Sequence, residues 1–381
     1  MQRVIVINGP NLDLLGTRQP EVYGHQTLTD LVEKLRLWAE RLDLVVDHFQ
    51  SNHEGELIER VQQSQRTHDA IVINAGALTH YSRALADALV AVELPVVEVH
   101  ISNVREREPW RRFSVIAPVA VKTIYGRGLP GYRWALRHLV NRSRQPVTNL
   151  AYGPLPDQTG QLRRPPGAVG TLVILLHGGL WRHEWTLDTT ESLAVDLTRA
   201  GYVSWNLEYR RVGAGGGWPE SYGDVEKALT VAPSLVGIGP ERTVVMGHSA
   251  GGTLALWAGG LPEPLRPAYT VGLAPLTDLV RADQEQLGDG TVRRLLGRHR
   301  PPPQSYSPRH RLPTGPGLIA TGLADALVHP DYGRDYVGAA SAAGSEVDLI
   351  EVPNEHWSFL DPSREAWGAV TERLRSRIPP L

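Results

Sequence analysis

A serine in a glycine-rich turn is the first candidate for chemistry in this chain. Residues 243–253, TVVMGHSAGGT, predict a strand, a G-x-S-x-G turn and a helix, a setting that exposes the Ser249 hydroxyl as a nucleophile. Asp325 and His356 follow later predicted strands, which gives the serine, acid, histidine order of a hydrolytic triad. Upstream, LLHGGLW (175–181) ends another predicted strand in a loop whose amides can stabilise an oxyanion. The expected oxyanion donors are the backbone amides of Gly178, Gly179 and Ala250.

Other residues compete for these roles. Asp278 is a rival acid, but its position in the chain fits the triad less well. His329 is a rival base, although it precedes the last predicted strand, and His248 is interpreted as a spacer in the turn. Two interpretations stay open for Trp181 and Trp185, which either pack the loop or form a wall of the acyl pocket.

A second set of polar residues follows predicted strands in the first third of the chain. The set comprises Asn8, Asn11, Arg18, Tyr23, Asn74, His80, His100, Ile101, Ser102, Asn103, Arg107 and Arg111. Because the carboxyl ends of parallel strands meet at one edge of a sheet, where open α/β sheets bind ligands, we expect these residues to converge. Taken singly, each has a structural explanation as a turn cap, a core histidine or a solvated arginine.

Alternating strands and helices predict two α/β domains. Val/Ile runs such as 4–7 are continuous, as in parallel strands that are covered on both faces. The Pro- and Gly-rich stretch 141–168 predicts a boundary, which gives domains 1–145 and 146–381. An Arg- and Pro-rich stretch, 281–315, predicts an irregular insertion or lid.

Composition narrows the function classes. The chain has 381 residues, a formal net charge of -2 and no cysteine, which argues against a nucleic-acid binder and excludes disulfides and thiolate metal sites. No apolar run is long enough for a signal peptide or a membrane span. We therefore expect a cytoplasmic enzyme of small-molecule substrates that uses no metal or cofactor and contacts neither nucleic acid nor membrane.

Four motifs in the first domain closely resemble those of the type II 3-dehydroquinate dehydratases. They are NGPNLDLLGTRQPEVYG (8–24), QSNHEGELI (50–58), INAGALTH (73–80) and EVHISN (98–103). The resemblance implies a flavodoxin-like fold and the elimination of water from 3-dehydroquinate through an enolate, giving 3-dehydroshikimate in the shikimate pathway. It also implies a homo-oligomer built from trimers, up to a dodecamer.

Roles follow from the same resemblance. Tyr23 matches the base, with Arg18 as the cation that favours its phenolate. His100 matches the proton donor, oriented by Glu98, and Asn11 matches the residue that holds a water against the enolate. The expected substrate-binding residues are Asn74, His80, Asp87, Ile101, Ser102, Arg107 and Arg111, of which Asp87 reaches a neighbouring subunit.

The second domain resembles α/β-hydrolases of the esterase and lipase type, over residues 148–377. The HGGxW and GHSAGG motifs are similar to those of the kynurenine formamidase-like branch, as are the segments 152–162 and 206–225. Ester, aryl formamide and short-peptide hydrolysis all remain open. The two resemblances together predict a bifunctional enzyme. The alternatives are a dehydratase-like half that serves only as an oligomerisation scaffold, and a hydrolase half that only binds.

Overall fold

Two β-sheets, each with helices on both faces, organise the chain. The computed structural model describes residues 2–19, 24–104, 107–144, 146–167, 170–299 and 301–380. Backbone contacts divide the chain into the units Met1–Arg144 and Gln145–Leu381.

The N-terminal unit contains a sheet of five parallel strands in the order β2-β1-β3-β4-β5. The strands are β1 (Gln2–Asn8), β2 (Leu44–Gln50), β3 (Ala70–Asn74), β4 (Val96–His100) and β5 (Lys122–Tyr125). The helices are α1 (Leu28–Leu42), α2 (Glu54–Ser64), α3 (Arg83–Ala91) and α4 (Pro130–Arg144). This is the strand order of flavodoxin-like folds, so the fold predicted for the first half is confirmed.

The central strands of this sheet are apolar on both faces, as their sequence predicts. Val4 and Val6 of β1 pack into one hydrophobic cluster, and Ile5 and Ile7 pack into another on the opposite face. Asn8 is in register with Gln50 of β2 and with Asn74 of β3, so three strands end at the same edge. The loops that follow them are therefore neighbours in space.

The C-terminal unit contains an eight-stranded sheet in the order β13-β12-β11-β10-β8-β9-β7-β6. The strands are β6 (Thr148–Ala151), β7 (Thr159–Arg163), β8 (Leu172–Leu176), β9 (Val203–Leu207), β10 (Thr243–His248), β11 (Tyr269–Leu273), β12 (Gly317–Gly322) and β13 (Val347–Val352). The helices are α5 (Glu191–Arg199), α6 (Glu220–Val236), α7 (Ala250–Ala258), α8 (Leu279–Gln284), α9 (Leu287–Leu296), α10 (Asp331–Ala342) and α11 (Glu365–Arg377). Strands β6 and β7 pair antiparallel, whereas β8 to β13 are parallel. Hydrophobic clusters cover both faces of the sheet.

Some elements differ from the expectations. The stretch 281–315 is not wholly irregular, because it contains most of α8, all of α9 and two short 3-10 helices at 303–305 and 308–310. Strand β5 and helix α10 were not predicted. Strand β5 has only four residues, and α10 contains two glycines and many polar residues, so neither has a strong hydrophobic period.

Within the described ranges, no helix combines the length and the apolar character that a bilayer-spanning segment needs.

Candidate active sites

A pocket opens at the carboxyl edge of the N-terminal sheet, where the loops after β1, β3 and β4 meet. Its lining comprises Pro10, Asn11, Leu12, Leu14, Leu15, Arg18, Asn74, Gly76, Ala77, His80, His100, Ile101, Ser102, Val104 and Arg111. Eight of the residues predicted for this site are among them, drawn from three separate loops. The apolar members of the lining were not predicted, because single leucines carry no chemical signal in a sequence.

Backbone packing between two loops shapes the floor of this pocket. Gly76 has a φ of 58°, and a Cβ atom on it would lie 2.8 Å from the carbonyl oxygen of Pro10. Only glycine meets both conditions without strain. Asn11 also has a left-handed φ, of 66°, and its backbone amide donates a hydrogen bond of 2.8 Å to Oδ1 of Asn52. The loop after β1 is thus held against the loops after β2 and β3.

His100 is oriented by a buried carboxylate. Its Nε2 lies 3.0 Å from Oε1 of Glu98, and this oxygen also accepts hydrogen bonds from the hydroxyls of Thr79 and Ser114. The other oxygen, Oε2, accepts from the hydroxyl of Thr123. Burial by itself would raise the pKa of Glu98, but His100 and the hydroxyls outweigh it and hold that pKa below its usual value. The ionised Glu98 accepts a hydrogen bond from Nε2–H of His100. Nδ1 is therefore the ring nitrogen that is available to a substrate. Thr79, Ser114 and Thr123 were not predicted.

Two further side chains give the pocket its polarity. His80 donates from Nδ1 to the carbonyl oxygen of Phe113 at 2.7 Å, and its ring meets Trp110 edge-on. Burial lowers the pKa of His80 below its usual value, which favours the neutral ring. The Arg111 guanidinium lies over the Trp110 ring at 4.0 Å and 3.0 Å from a carboxylate oxygen of Glu108. The arginine is therefore held in place beside the pocket.

Asp87 and Arg107, which were also predicted for this site, are not part of the lining. Tyr23 is outside the described residues. Asp87 is exposed on α3, and Arg107 does not line the pocket but lies 3.5 Å from Glu108.

Asn74 is the most deeply connected residue of this pocket. Its Nδ2 donates to the hydroxyl of Tyr132, which donates in turn to Oδ1 of Asn8. Nδ2 of Asn8 in turn forms a hydrogen bond with Nε2 of His48, which is the last member of this hydrogen-bonded chain. Tyr132 was missed from sequence, because it lies 58 residues beyond Asn74 on α4 and belongs to no polar motif.

The second site is built on the turn between β10 and α7. Ser249 has a φ of 52° and a ψ of -120°, a strained conformation for a residue other than glycine, and such strain recurs at functional sites. A Cβ atom on Gly251 would clash with the carbonyl oxygens of Leu176 and His177. Glycine at this position therefore lets the turn lie directly against the end of β8.

A carboxylate and a histidine lie together at this site. Nδ1 of His356 is 2.7 Å from Oδ2 of Asp325. The other oxygen of Asp325 accepts from the backbone amides of Leu327 and Val328, at 2.8 Å each. Burial would raise the pKa of Asp325, but these hydrogen bonds and His356 together lower it. The ionised Asp325 accordingly fixes the Nδ1–H tautomer of His356.

The remaining nitrogen of His356, Nε2, is buried and accepts or donates no hydrogen bond within the described part of the chain. It is therefore available for a proton from a nucleophile. The neighbouring His248 donates from its own Nε2 to the carbonyl oxygen of His356 at 2.9 Å. Burial, helped by His356, lowers the pKa of His248 to about 3, so its ring is neutral and serves as a support.

The HGG loop passes directly over the serine. A Cβ atom on Gly178 would lie 3.1 Å from Cβ of Ser249. The His177 ring holds this loop, because its nitrogens lie 2.8 Å from the carbonyl oxygen of Gly178 and 2.7 Å from Oε1 of Glu208. The N–H of Ala250 opens α7 and has no partner within the helix.

The two tryptophans of the loop differ. Trp181 is buried in the hydrophobic core, so it packs the loop. Trp185 stacks on Trp357 with ring centroids 5.2 Å apart, and Trp357 meets the His356 ring edge-on. Trp185 thus belongs to the aromatic surroundings of the histidine.

The rival residues have other contacts. Asp278 caps α8, since its Oδ1 accepts from the amides of Val280 and Arg281 at 3.0 Å. His329 is exposed and lies 3.2 Å from Asp331. Among the described residues no group of three or more histidine and acidic side chains is arranged to hold a metal ion.

Comparisons with known proteins divide at the same place as the fold. Residues 2–140 match the model of the family described as dehydroquinase class II. Residues 164–265 match the model named BD-FAE, and residues 219–373 match that of the prolyl oligopeptidase family.

Individual relatives give the same division. A 3-dehydroquinate dehydratase of Bacillus pumilus is 52% identical over 141 residues, which are 37% of this chain and 96% of the relative. That of Halothermothrix orenii is 55% identical over 141 residues, 37% of this chain and 95% of the relative. The solved esterase 2 of Thermogutta terrifontis, phosphonylated by sarin, has a TM-score of 0.53 and 19% identity over 61% of this chain and 96% of its own. The likeness to the esterase concerns the fold.

Proposed function

Through residues 2–140 the chain belongs to the class II dehydroquinase family, and we propose from this that it is a bifunctional enzyme. Its first unit is a 3-dehydroquinate dehydratase, a lyase, and its second unit is a serine hydrolase of the esterase type. We assign residues 1–145 to the first activity and residues 146–381 to the second. The oligomerisation-scaffold alternative is disfavoured, because the first unit keeps the polar lining that catalysis needs and a scaffold does not.

The observation that carries the dehydratase is the convergence of polar side chains in one pocket. In the proposed mechanism Tyr23, as phenolate beside Arg18, removes the proton next to the ketone of 3-dehydroquinate. Asn11 holds a water against the resulting enolate. His100, protonated on both ring nitrogens for this step, gives its Nδ1 proton to the departing hydroxyl group, which leaves as water, and the proton held by Tyr23 returns to His100 through solvent. The amides of Ile101 and Ser102 and the side chain of Arg111 receive the substrate carboxylate.

Dehydration is measured directly by the absorbance of the conjugated product. The wild-type chain is expected to convert 3-dehydroquinate, and Tyr23→Phe to lower kcat at least about a hundredfold, because general base catalysis contributes roughly that much or more. Undiminished turnover by Tyr23→Phe contradicts the assigned base. No turnover by the wild type contradicts the activity.

The Asp325–His356 pair, which contacts His248 next to Ser249 in the chain, carries the hydrolase proposal. Nε2 of His356 takes the hydroxyl proton as Oγ of Ser249 attacks the acyl carbonyl, and Asp325 stabilises the imidazolium that forms. The amides of Gly178, Gly179 and Ala250 stabilise the oxyanion, and His356 passes its proton to the leaving group. Water then releases the acyl group from the serine by the same steps. Esters are the preferred substrates, followed by aryl formamides and short peptides.

A panel of aryl esters, aryl formamides and aminoacyl amides tests this activity and its order of preference. A fluorophosphonate probe is expected to label wild-type protein and not Ser249→Ala. Labelling that persists in Ser249→Ala contradicts the assigned nucleophile. Folded wild-type protein that neither reacts with the probe nor cleaves any member of the panel contradicts the activity.

We further propose a cytoplasmic homo-oligomer built from trimers, up to a dodecamer, in which Asp87 reaches the pocket of a neighbouring subunit. The exposure of Asp87 on α3 supports this role. Light scattering on a size-exclusion column measures the mass, and a purely monomeric protein contradicts the proposal.

A further inference from the structure

The hydrogen-bonded chain behind Asn74 links the dehydratase pocket to the edge of the sheet. Asn74 and Asn8 stand at the ends of β3 and β1, Tyr132 lies on α4, and His48 lies on the edge strand β2. The first three residues are buried, and His48 is half-buried. Successive donor–acceptor distances from Asn74 to His48 are 2.9, 2.5 and 3.0 Å. Four different elements therefore contribute to one polar chain.

Donor and acceptor roles run in a single direction along this chain. The Tyr132 hydroxyl has one proton, which it gives to Oδ1 of Asn8, so it must accept from Nδ2 of Asn74. Asn8 then turns its Nδ2 toward His48, whose Nε2 must accept and so carries no proton. Reversing any one of these roles places two donors or two acceptors face to face. The side chains can therefore reverse only together.

The pocket end of the chain is Asn74. With Nδ2 turned to Tyr132, its Oδ1 faces the opposite way and accepts from the amide of Gly76 at 3.3 Å. The side-chain amide of Asn74 therefore presents its oxygen and its N–H groups to the pocket in one fixed orientation. A polar ligand distinguishes this arrangement from the reversed one, because an unmatched donor or acceptor in a buried site is costly.

We propose that His48, Asn8 and Tyr132 are positioning residues that fix the orientation of the Asn74 amide toward the substrate, with the unprotonated Nε2 of His48 requiring the same direction as the backbone amide of Gly76. This inference rests on the proposed dehydratase activity. None of the three residues needs to touch the substrate. Burial lowers the pKa of His48, which favours the neutral ring that the chain requires.

The first test removes the central link. Tyr132→Phe deletes the hydroxyl but keeps the ring, so Asn74 loses its orienting partner. We expect KM for 3-dehydroquinate to rise roughly tenfold, the effect of about one hydrogen bond, while kcat changes less than about threefold. A Tyr132→Phe variant that melts at a lower temperature yet keeps the wild-type KM overturns the proposal.

The second test changes only the direction of the chain, at a half-buried position that tolerates substitution better than Tyr132. His48→Gln introduces a side chain with an acceptor oxygen, whereas His48→Lys introduces a side chain that can only donate. We expect His48→Gln to stay within about twofold of the wild-type KM. His48→Lys should raise KM roughly fivefold to tenfold, since it must donate to Asn8 and thereby reverse Tyr132 and Asn74. Equal KM values for the two variants overturn the proposed direction.

These experiments separate the inference from the activity on which it rests. If the wild-type chain does not dehydrate 3-dehydroquinate, the proposed function fails. If the wild type is active and all three variants keep its KM, only the positioning role fails.

Discussion

Glu98 and Asp325 lie in different units but perform the same physical task. Each is a buried carboxylate whose pKa burial would raise, and each is kept ionised by hydrogen bonds and a neighbouring histidine. Each holds one nitrogen of that histidine, at 3.0 Å in His100 and 2.7 Å in His356. The second nitrogen of each ring is thereby left for chemistry.

The lowered pKa of Glu98 makes a contribution to stability that depends on pH. Because the folded-state pKa lies below the ordinary value of 4.5, this contribution is present above pH 4.5 and is lost as pH falls through the folded value. We expect Glu98→Gln to lower the urea midpoint of unfolding at pH 7, and the difference in midpoint between variant and wild type to narrow below pH 4.5. A gap that stays constant between pH 7 and pH 3 would contradict this account.

Asp325 and Asp278 offer a matched pair of substitutions in the hydrolase unit. Asp325→Asn removes the charge that fixes the His356 tautomer, so kcat for ester hydrolysis should fall by roughly 10³ to 10⁴. Asp278→Asn should leave kcat and stability nearly unchanged, because asparagine caps a helix about as well as aspartate. Both variants are compared by kcat and by thermal unfolding. A large loss of kcat in Asp278→Asn would make it the acid.

Residues with a reactive group were easier to predict from sequence than residues that hold them. His100 and Ser249 stand in motifs whose spacing indicates chemistry. Tyr132 and His48 stand in no motif, and they reach Asn74 only through tertiary packing, which joins Tyr132 to Asn8 across 124 residues of sequence. Sequence periodicity carries no information about such pairs.

Among the elements, the strands that carry the sites were the most predictable. β1 and β10 have continuous apolar runs that end in a glycine-containing turn, and both signals are local. Strand β5 and helix α10 have weaker patterns and form because neighbouring elements cover them. Ile124 of β5 is buried among residues of α4, and Tyr336 and Ala340 of α10 pack against Ile319 of β12.

Two helical glycines of the hydrolase unit predict opposite effects of substitution by alanine. Gly251→Ala places a methyl group against the carbonyl oxygens of Leu176 and His177, so we expect loss of hydrolysis together with lower thermal stability. Gly223→Ala lies within α6, where a Cβ atom meets nothing within 4 Å. It should stabilise the unit by about 0.5–1 kcal/mol, because alanine favours a helix. Urea unfolding measures both, and a stable, active Gly251→Ala would contradict the proposed packing.

At the scale of the whole molecule, each unit has its own sheet and its own apolar clusters on both faces of that sheet. The residues of each candidate site also come from one unit alone. No described residue of the hydrolase triad belongs to the dehydratase pocket. Each unit therefore contains the core that it needs to position its own site.

Separate cores predict that the two activities can be removed one at a time in the full chain. Arg18→Ala should reduce dehydration at least about a hundredfold, because it removes the cation that we propose favours the Tyr23 phenolate. Ester hydrolysis by the same variant should stay within about twofold of wild type, since the hydrolase triad draws none of its residues from the first unit. Ser249→Ala should have the opposite profile, losing hydrolysis about 10³-fold or more and keeping dehydration. Loss of both activities in either variant, with melting temperatures unchanged, would show instead that the two sites depend on each other.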